Sequence, residues 1–103
     1  MNEQMYKLNR LDQLLSDTRT LPMSEKYGAY AAAKTLVREL KEYASEHDIG
    51  GYTLEKLGAL DWHVGVIFGF DADSGLPIDQ HYVGCLRSIE ILKSDDGFGK
   101  WAP

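Results

Sequence analysis

The chain has 103 residues, with 16 acidic and 11 basic side chains and a formal net charge of −5. Its length predicts a single domain, residues 1–103, and its acidity excludes direct double-stranded DNA binding, which needs a dominant basic surface. A lone cysteine, Cys85, excludes an intrachain disulfide and a cysteine-rich zinc site. The first residues lack a secretory layout and the longest apolar run is 64–70, so we expect a cytoplasmic protein with no membrane contact.

The first segment, about residues 4–18, is predicted to be a short amphipathic helix. Its apolar residues recur at helical spacing, with polar residues between them. Pro22 ends the pattern, because a proline disfavours helical angles in the residue before it. The apolar positions are Met5, Leu8, Leu11 and Leu15.

The second segment gives the strongest helix prediction, from about Ser24 to His47. Ser24 can cap its first turn, and the alanine-rich stretch that follows favours helix. The pair Gly50-Gly51 is a stop signal. One apolar stripe runs along the helix through Ala29, Ala33, Leu36, Val37, Leu40 and Ala44.

The third segment fits two patterns. A helix capped by Thr53 would place Leu57, Leu60, Val64 and Ile67 on one face. The residues from 61 to 70 also alternate as in a half-buried strand, which leaves a helix over 53–60 followed by a strand over 61–70 as the alternative. We favour the helix.

The last segment is predicted to be a helix from a cap at Asp79 to about Lys93. Its apolar face holds Tyr82, Cys85, Leu86, Ile89 and Leu92. The polar tail, 94–103, is predicted to be mobile, with Phe98 and Trp101 either docked on the body or contacting a partner. The fold class is therefore an all-α bundle: a short N-terminal helix, a helical hairpin and a closing C-terminal helix, with the α+β alternative open.

The residues form no complete catalytic or metal-binding motif, so we predict a protein that is not an enzyme and needs no cofactor. His47, His63 and His81 lack a partner histidine or cysteine at ligand spacing. Cys85 could pair with His63 or His81 as a nucleophile and base. Its place on an apolar helix face instead indicates a small core residue.

One constellation on the second helix is a candidate binding surface. Two tyrosines and three cations fall within a narrow arc, well away from the apolar stripe. Rings can stack on a base and cations can hold phosphates, which indicates a nucleotide-type anionic ligand. Alternatively, the long stems cover neighbouring apolar surface while their charges stay in water. The residues are Tyr27, Tyr30, Lys34, Arg38 and Lys41.

About half the chain, from Asp17 to Ile67, resembles the helical hairpin of phage proteins that sequester cyclic-nucleotide immune signals. The matching features are Lys26-Tyr27 before an alanine- and lysine-rich helix, and a second helix carrying Ala59, Leu60 and Trp62. The asparagine- and alanine-rich stretch that follows the tryptophan in that family is absent here. The resemblance implies a helical sponge protein that contacts its ligand through Lys26 and Tyr27.

Three functional hypotheses follow. The first is a non-enzymatic binding protein of the phage counter-defence type, which sequesters a nucleotide signal or blocks a defence component. The second is an acidic inhibitor or immunity protein that binds the basic groove of a nuclease or CRISPR effector. The third is a small enzyme that uses Cys85 and a histidine. The aromatic load of the third segment also favours a homo-oligomer.

Overall fold

The computed structural model describes residues 3–71, 75–94 and 97–101, and within them the chain is a bundle of four helices. The helices are α1 (Glu3–Thr18), α2 (Tyr27–Glu46), α3 (Tyr52–Ile67) and α4 (Ile78–Lys93). Two short 3-10 segments, Met23–Glu25 and Phe98–Trp101, precede α2 and follow α4.

Each helix packs on its neighbour in the chain, and α4 closes the bundle by packing on α1 as well as α3. The predicted all-α fold is confirmed: residues 61–67 are the last turns of α3, and no strand occurs in the described residues. The strand alternative is wrong because the helical register places Leu60, Val64 and Ile67 together in the core, where their burial outweighs the cost of nearby glycines. Within the described part of the chain, no helix has the length and hydropathy to cross a membrane.

The core is built from the faces that the spacing predicts. Leu8, Leu11 and Leu15 of α1 are fully buried, and Ala29 and Leu36 of α2 pack at the edge of the core. The other buried core residues of α2, α3 and α4 include Ala33, Val37, Leu40, Ala44, Leu57, Tyr82, Cys85, Ile89 and Leu92.

None of the three predicted side-chain caps is used. Ser24 lies in the 3-10 turn, and Lys26 occupies the cap position of α2 without a side-chain hydrogen bond. Thr53 is buried in the first turn of α3, which starts one residue earlier. Asp79 lies inside α4 and pairs instead with Arg19, at 3.2 Å. The helix α2 starts three residues after Ser24, whereas α3 and α4 each start one residue before the predicted cap, so none of these side chains stands at the cap position.

The helices α2 and α3 end in the same motif. After α2, Asp48 adopts a left-handed φ of 53°, and the Ile49 amide donates to the Ala44 carbonyl at 2.8 Å. After α3, Gly69 has the corresponding conformation and the Phe70 amide donates to the Gly65 carbonyl. These are Schellman ends, so α2 ends at Glu46 and the left-handed residue Asp48 turns the chain before the Gly50-Gly51 pair is reached.

The tail folds back onto the bundle at Phe98, whose side chain is fully buried in the core beside Tyr43. Phe98 therefore follows the docked alternative, because an aromatic ring in contact with the core is removed from water. The side chain of Trp101 lies outside the described part of the structure.

Candidate functional site

The candidate binding surface predicted on α2, with its two tyrosines and three cations, lies along the seam between α2 and α3. Because α2 and α3 run antiparallel, residues early in α2 meet residues late in α3. Tyr30 packs on Phe68, with ring centroids 5.5 Å apart, and Lys34 and Lys41 both reach Asp61. Residues of this candidate binding surface therefore join α2 to α3, and they also border a groove that is open to solvent.

The groove has a volume of about 320 Å³ and lies beside the middle of α2. Its three cations follow one another at intervals of three and four residues, which places them on one helix face. One carboxylate from α3 faces them. The groove is lined by Lys34, Thr35, Val37, Arg38, Lys41 and Asp61.

Asp61 holds the two lysines in place. Lys34 donates a short hydrogen bond to Oδ1, and Lys41 donates to Oδ2 at 2.9 Å. Burial alone would raise the pKa of Asp61, but the hydrogen bonds and positive charges of Lys34 and Lys41 outweigh it and lower the pKa. Asp61 is therefore an ionised bridge between two ammonium groups at neutral pH.

Arg38 is the most exposed cation of the groove, with 68% of its side chain accessible. Its Nε lies 3.7 Å from the Glu42 carboxylate, one turn along the same helix. Such exposed pairs contribute little to stability and exchange readily with solvent. The guanidinium can therefore turn towards an anion in the groove at small cost.

The two tyrosines lie at the N-terminal end of the candidate binding surface. Both contact the ring of Phe70, which follows the end of α3. Tyr30 stacks on Phe70, with centroids 3.9 Å apart and planes 15° from parallel. Tyr27 meets the same ring edge-on at 6.0 Å and remains 56% exposed. Tyr27 therefore presents an open ring to solvent, whereas one face of Tyr30 is covered.

Lys26 lies away from the groove. It is only 6% exposed, and its ammonium donates to the hydroxyl of Tyr82 on α4 at 3.1 Å. Arg19 contacts the same tyrosine ring from 5.3 Å. The structure therefore gives Lys26 a packing role and separates it from Lys34, Arg38 and Lys41.

Sequence reasoning missed the two residues that organise the site, Asp61 and Phe70. Asp61 is the one charged residue between Lys56 and Asp71, and a lone carboxylate in such an apolar stretch is a signal that a cation faces it. Nothing in the sequence pattern pairs Phe70 with Tyr30, because that contact depends on how α3 ends.

The remaining sequence candidates lie on the other side of α3. Trp62 contacts His81 of α4 edge-on, so it does not border the groove. His63 and His81 meet across the α3–α4 seam, with their Nδ1 atoms 2.9 Å apart. Among the described residues, no three histidine, cysteine or carboxylate side chains converge as metal ligands.

Cys85 is fully buried, and burial raises the pKa of its thiol to about 12. At neutral pH it is therefore a protonated core side chain, which disfavours the hypothesis of a Cys85 nucleophile. The groove between α2 and α3 remains the candidate site. Neither the protein-family models, the curated proteins nor the solved structures include a match to this chain.

Proposed function

We propose that this protein is a small, non-enzymatic binding protein that holds a phosphate-bearing, nucleotide-type anion in the groove between α2 and α3. The observation that carries the proposal is the convergence of Lys34, Arg38 and Lys41 on one groove of an otherwise acidic chain. Sequestration needs affinity and no chemistry, which suits a site with donors and no nucleophile.

The groove offers the donors that phosphate groups require. Two ammonium groups supply point charges, and the Arg38 guanidinium can donate two parallel hydrogen bonds to one phosphate. Tyr27 lies seven residues before Lys34, about 10 Å along the helix, where its exposed ring can stack on a base. The ligand class is therefore an anion with at least one phosphate and an aromatic base.

Asp61 shapes the affinity of this site. Its carboxylate already occupies the space between Lys34 and Lys41, so an incoming phosphate competes with it for the two ammonium groups. The site is thus built for a ligand with more negative charge than one carboxylate. Binding should weaken as salt rises, because part of its free energy is screened electrostatics.

A titration tests the proposal. Inorganic pyrophosphate, cyclic dinucleotides and cyclic trinucleotides are titrated calorimetrically into the wild-type chain, the last two because of the resemblance to sponge proteins. Arg38→Gln should weaken binding roughly tenfold or more, since hydrogen bonds to charged groups contribute about 1.5–3 kcal/mol. Arg87→Gln, which removes an exposed arginine on α4, is the matched control and should leave binding unchanged.

Two results would reject the binding proposal. One is the absence of heat with every probe at low salt. The other is equal weakening by Arg38→Gln and Arg87→Gln, which would indicate a general charge effect. Binding of pyrophosphate without a preference for nucleotides would keep the anion site and remove the stacking role of Tyr27.

A second candidate function is inhibition of a protein with a basic groove, and the loop end of the bundle favours it. The α1–α2 and α3–α4 connections lie at the same end, as the Arg19–Asp79 and Tyr27–Phe70 contacts require. Glu25, Asp71 and Asp79 lie there with a group of exposed apolar side chains, which is typical of a surface for a basic, apolar partner. The apolar residues are Leu21, Met23, Phe70, Leu76 and Ile78.

The two ends of the bundle provide the test of this second candidate. A synthetic amphipathic helix with leucines on one face and lysines on the other serves as the probe. Met23→Ser combined with Phe70→Ser should weaken its binding, whereas Tyr52→Ser combined with Leu54→Ser, at the opposite end, should not. Equal effects of the two pairs would reject the loop end as the docking surface.

A further inference from the structure

The two lysines of the groove form a fork around one carboxylate. Lys34 donates to Oδ1 of Asp61 and Lys41 donates to Oδ2, so the two ammonium groups hold two oxygens that share one central atom. A phosphate group presents two oxygens in the same arrangement. Its oxygens can therefore take the place of the carboxylate on both lysines, and Asp61, whose side chain is 27% accessible, can turn towards water.

The groove also supplies a cation for a third oxygen. Arg38 lies four residues after Lys34 and three before Lys41, which places it on the same face of α2, and it lines the same groove. A phosphate inside a diester has two unesterified oxygens, and the lysine fork uses both. A phosphate monoester has three strong acceptor oxygens, which leaves one for the guanidinium.

The Asp61 carboxylate sets the charge that a ligand needs. Exchanging the carboxylate for a phosphodiester replaces one negative charge by another, so the lysines gain no electrostatic free energy. A phosphate monoester carries about −1.5 to −2 charges at pH 7, so the same exchange adds negative charge among three cations. Charge and oxygen count therefore favour the same kind of phosphate.

Further carboxylates flank the cations at both ends of the groove. At the loop end of the bundle, the Asp71 carboxylate lies against Gly65, one turn along α3 from Asp61. At the opposite end, Glu42 pairs with Arg38 along α2. A chain of phosphodiesters that spread its charge along the groove would meet these like charges, whereas one terminal phosphate lies between them.

We propose that the groove between α2 and α3 selects a terminal phosphate, as in a nucleoside monophosphate, over a phosphate inside a cyclic or linear diester. This inference rests on the proposed function and narrows its ligand class. The lysine fork takes two oxygens of the phosphate, and Arg38 takes the third. Asp61 disfavours anions of single charge, because they gain nothing by displacing it.

Two nucleotides that share a base, a sugar and a single phosphorus atom provide the test. Adenosine 5′-monophosphate is a monoester, and adenosine 3′,5′-cyclic monophosphate is a diester. Each is titrated calorimetrically into the wild-type chain at low salt and about pH 7.5, where we expect the monoester to bind roughly tenfold more tightly or better. Lowering the pH to about 5.5 should shrink this preference, because the second pKa of a phosphate monoester is about 6.

The cyclic diester is the internal control for the change of pH. Its single negative charge is the same at both pH values, so a change in its binding would report titration of the protein. Burial raises the pKa of Asp61, but Lys34 and Lys41 lower it by more, so Asp61 also remains ionised. The loss of preference at low pH therefore measures the second charge of the monoester.

The Arg38→Gln variant separates the third-oxygen contact from the lysine fork. It should weaken binding of the monoester roughly tenfold and that of the cyclic diester by less, since only the monoester has an oxygen left for the guanidinium. Arg87→Gln on α4 is the matched control and should keep the wild-type preference.

The outcomes separate this inference from the proposed function. Equal binding of the two nucleotides, or tighter binding of the cyclic diester, would overturn the preference and keep the anion site. A preference that is unchanged at low pH, or an equal loss for both nucleotides in Arg38→Gln, would overturn the three-oxygen contact. No heat with either nucleotide would overturn the inference even if pyrophosphate binds, and no heat with any of the three would reject the proposed function as well.

Discussion

The two sides of α3 join it to its neighbours by different chemistry. Towards α2, Asp61 bridges two lysines at a seam that water reaches, and the groove opens there. Towards α4, His63 meets a fully buried His81 through a hydrogen bond that a neutral ring can make. Charges thus lie where solvent limits their desolvation cost, and the deeper seam is joined by a hydrogen bond between two rings.

This difference separates binding from stability. Ion pairs at a hydrated seam contribute little to the free energy of unfolding, so a ligand can compete for them. The apolar contacts of the core, to which α4 contributes, supply the stability instead. A change in the buried face of α4 should therefore destabilise the protein, whereas a change among the ion pairs of the α2 seam should alter binding first.

The largest expected effect tests this contrast directly. Ile89 of α4 is fully buried, so Ile89→Ala should lower the free energy of unfolding by about 2–5 kcal/mol through lost burial and a cavity. Lys41→Ala at the α2 seam should cost about 0–1 kcal/mol, since Lys34 still holds Asp61. Urea unfolding measures both free energies, and equal losses in the two variants would contradict the proposed difference between the two sides of α3.

Two mid-helix glycines sharpen the comparison. A methyl group on Gly84 would come within 2.5 Å of His63 Nε2, so Gly84→Ala should cost about 1–3 kcal/mol by displacing the ring from His81. Gly58 of α3 has nothing within 4 Å of that position, so Gly58→Ala should stabilise by about 0.5–1 kcal/mol. Thermal unfolding of both variants measures the difference in sign. A stabilising Gly84→Ala would mean that the His63 ring is loosely held.

A smaller effect is expected where α2 ends. Asp48 has a φ of 53°, a left-handed conformation that glycine adopts without strain. Asp48→Gly should therefore raise the free energy of unfolding by up to about 1 kcal/mol, and Asp48→Ala should not. Chemical unfolding of the two variants checks this, and a loss of stability in Asp48→Gly would indicate that the aspartate side chain matters there.

The fold could be predicted from the sequence because it depends on periodicity. Leu8, Leu11 and Leu15 are buried as their spacing requires, and so are Val64 and Ile67. The helix starts could not be predicted at Ser24, Thr53 and Asp79. There α2 starts three residues after its predicted cap, and α3 and α4 each start one residue before theirs, which periodicity does not determine.

The candidate site could be predicted in part. Helical spacing places Lys34, Arg38 and Lys41 on one face of α2, and the structure lines the groove with all three. The partners Asp61 and Phe70 could not be assigned, because they come from α3 and the residue after its end. The same holds for the His63–His81 pair, whose members are 18 residues apart in the chain.

The most direct test of the account compares the wild type with Asp61→Asn in the presence and absence of saturating inorganic pyrophosphate. Without the anion, Asp61→Asn should lower Tm, because Lys34 and Lys41 lose their shared carboxylate. With the anion, the rise in Tm should be larger in Asp61→Asn than in the wild type, because the competing charge is gone. No rise in either protein would contradict the claim that the groove between α2 and α3 is an anion site.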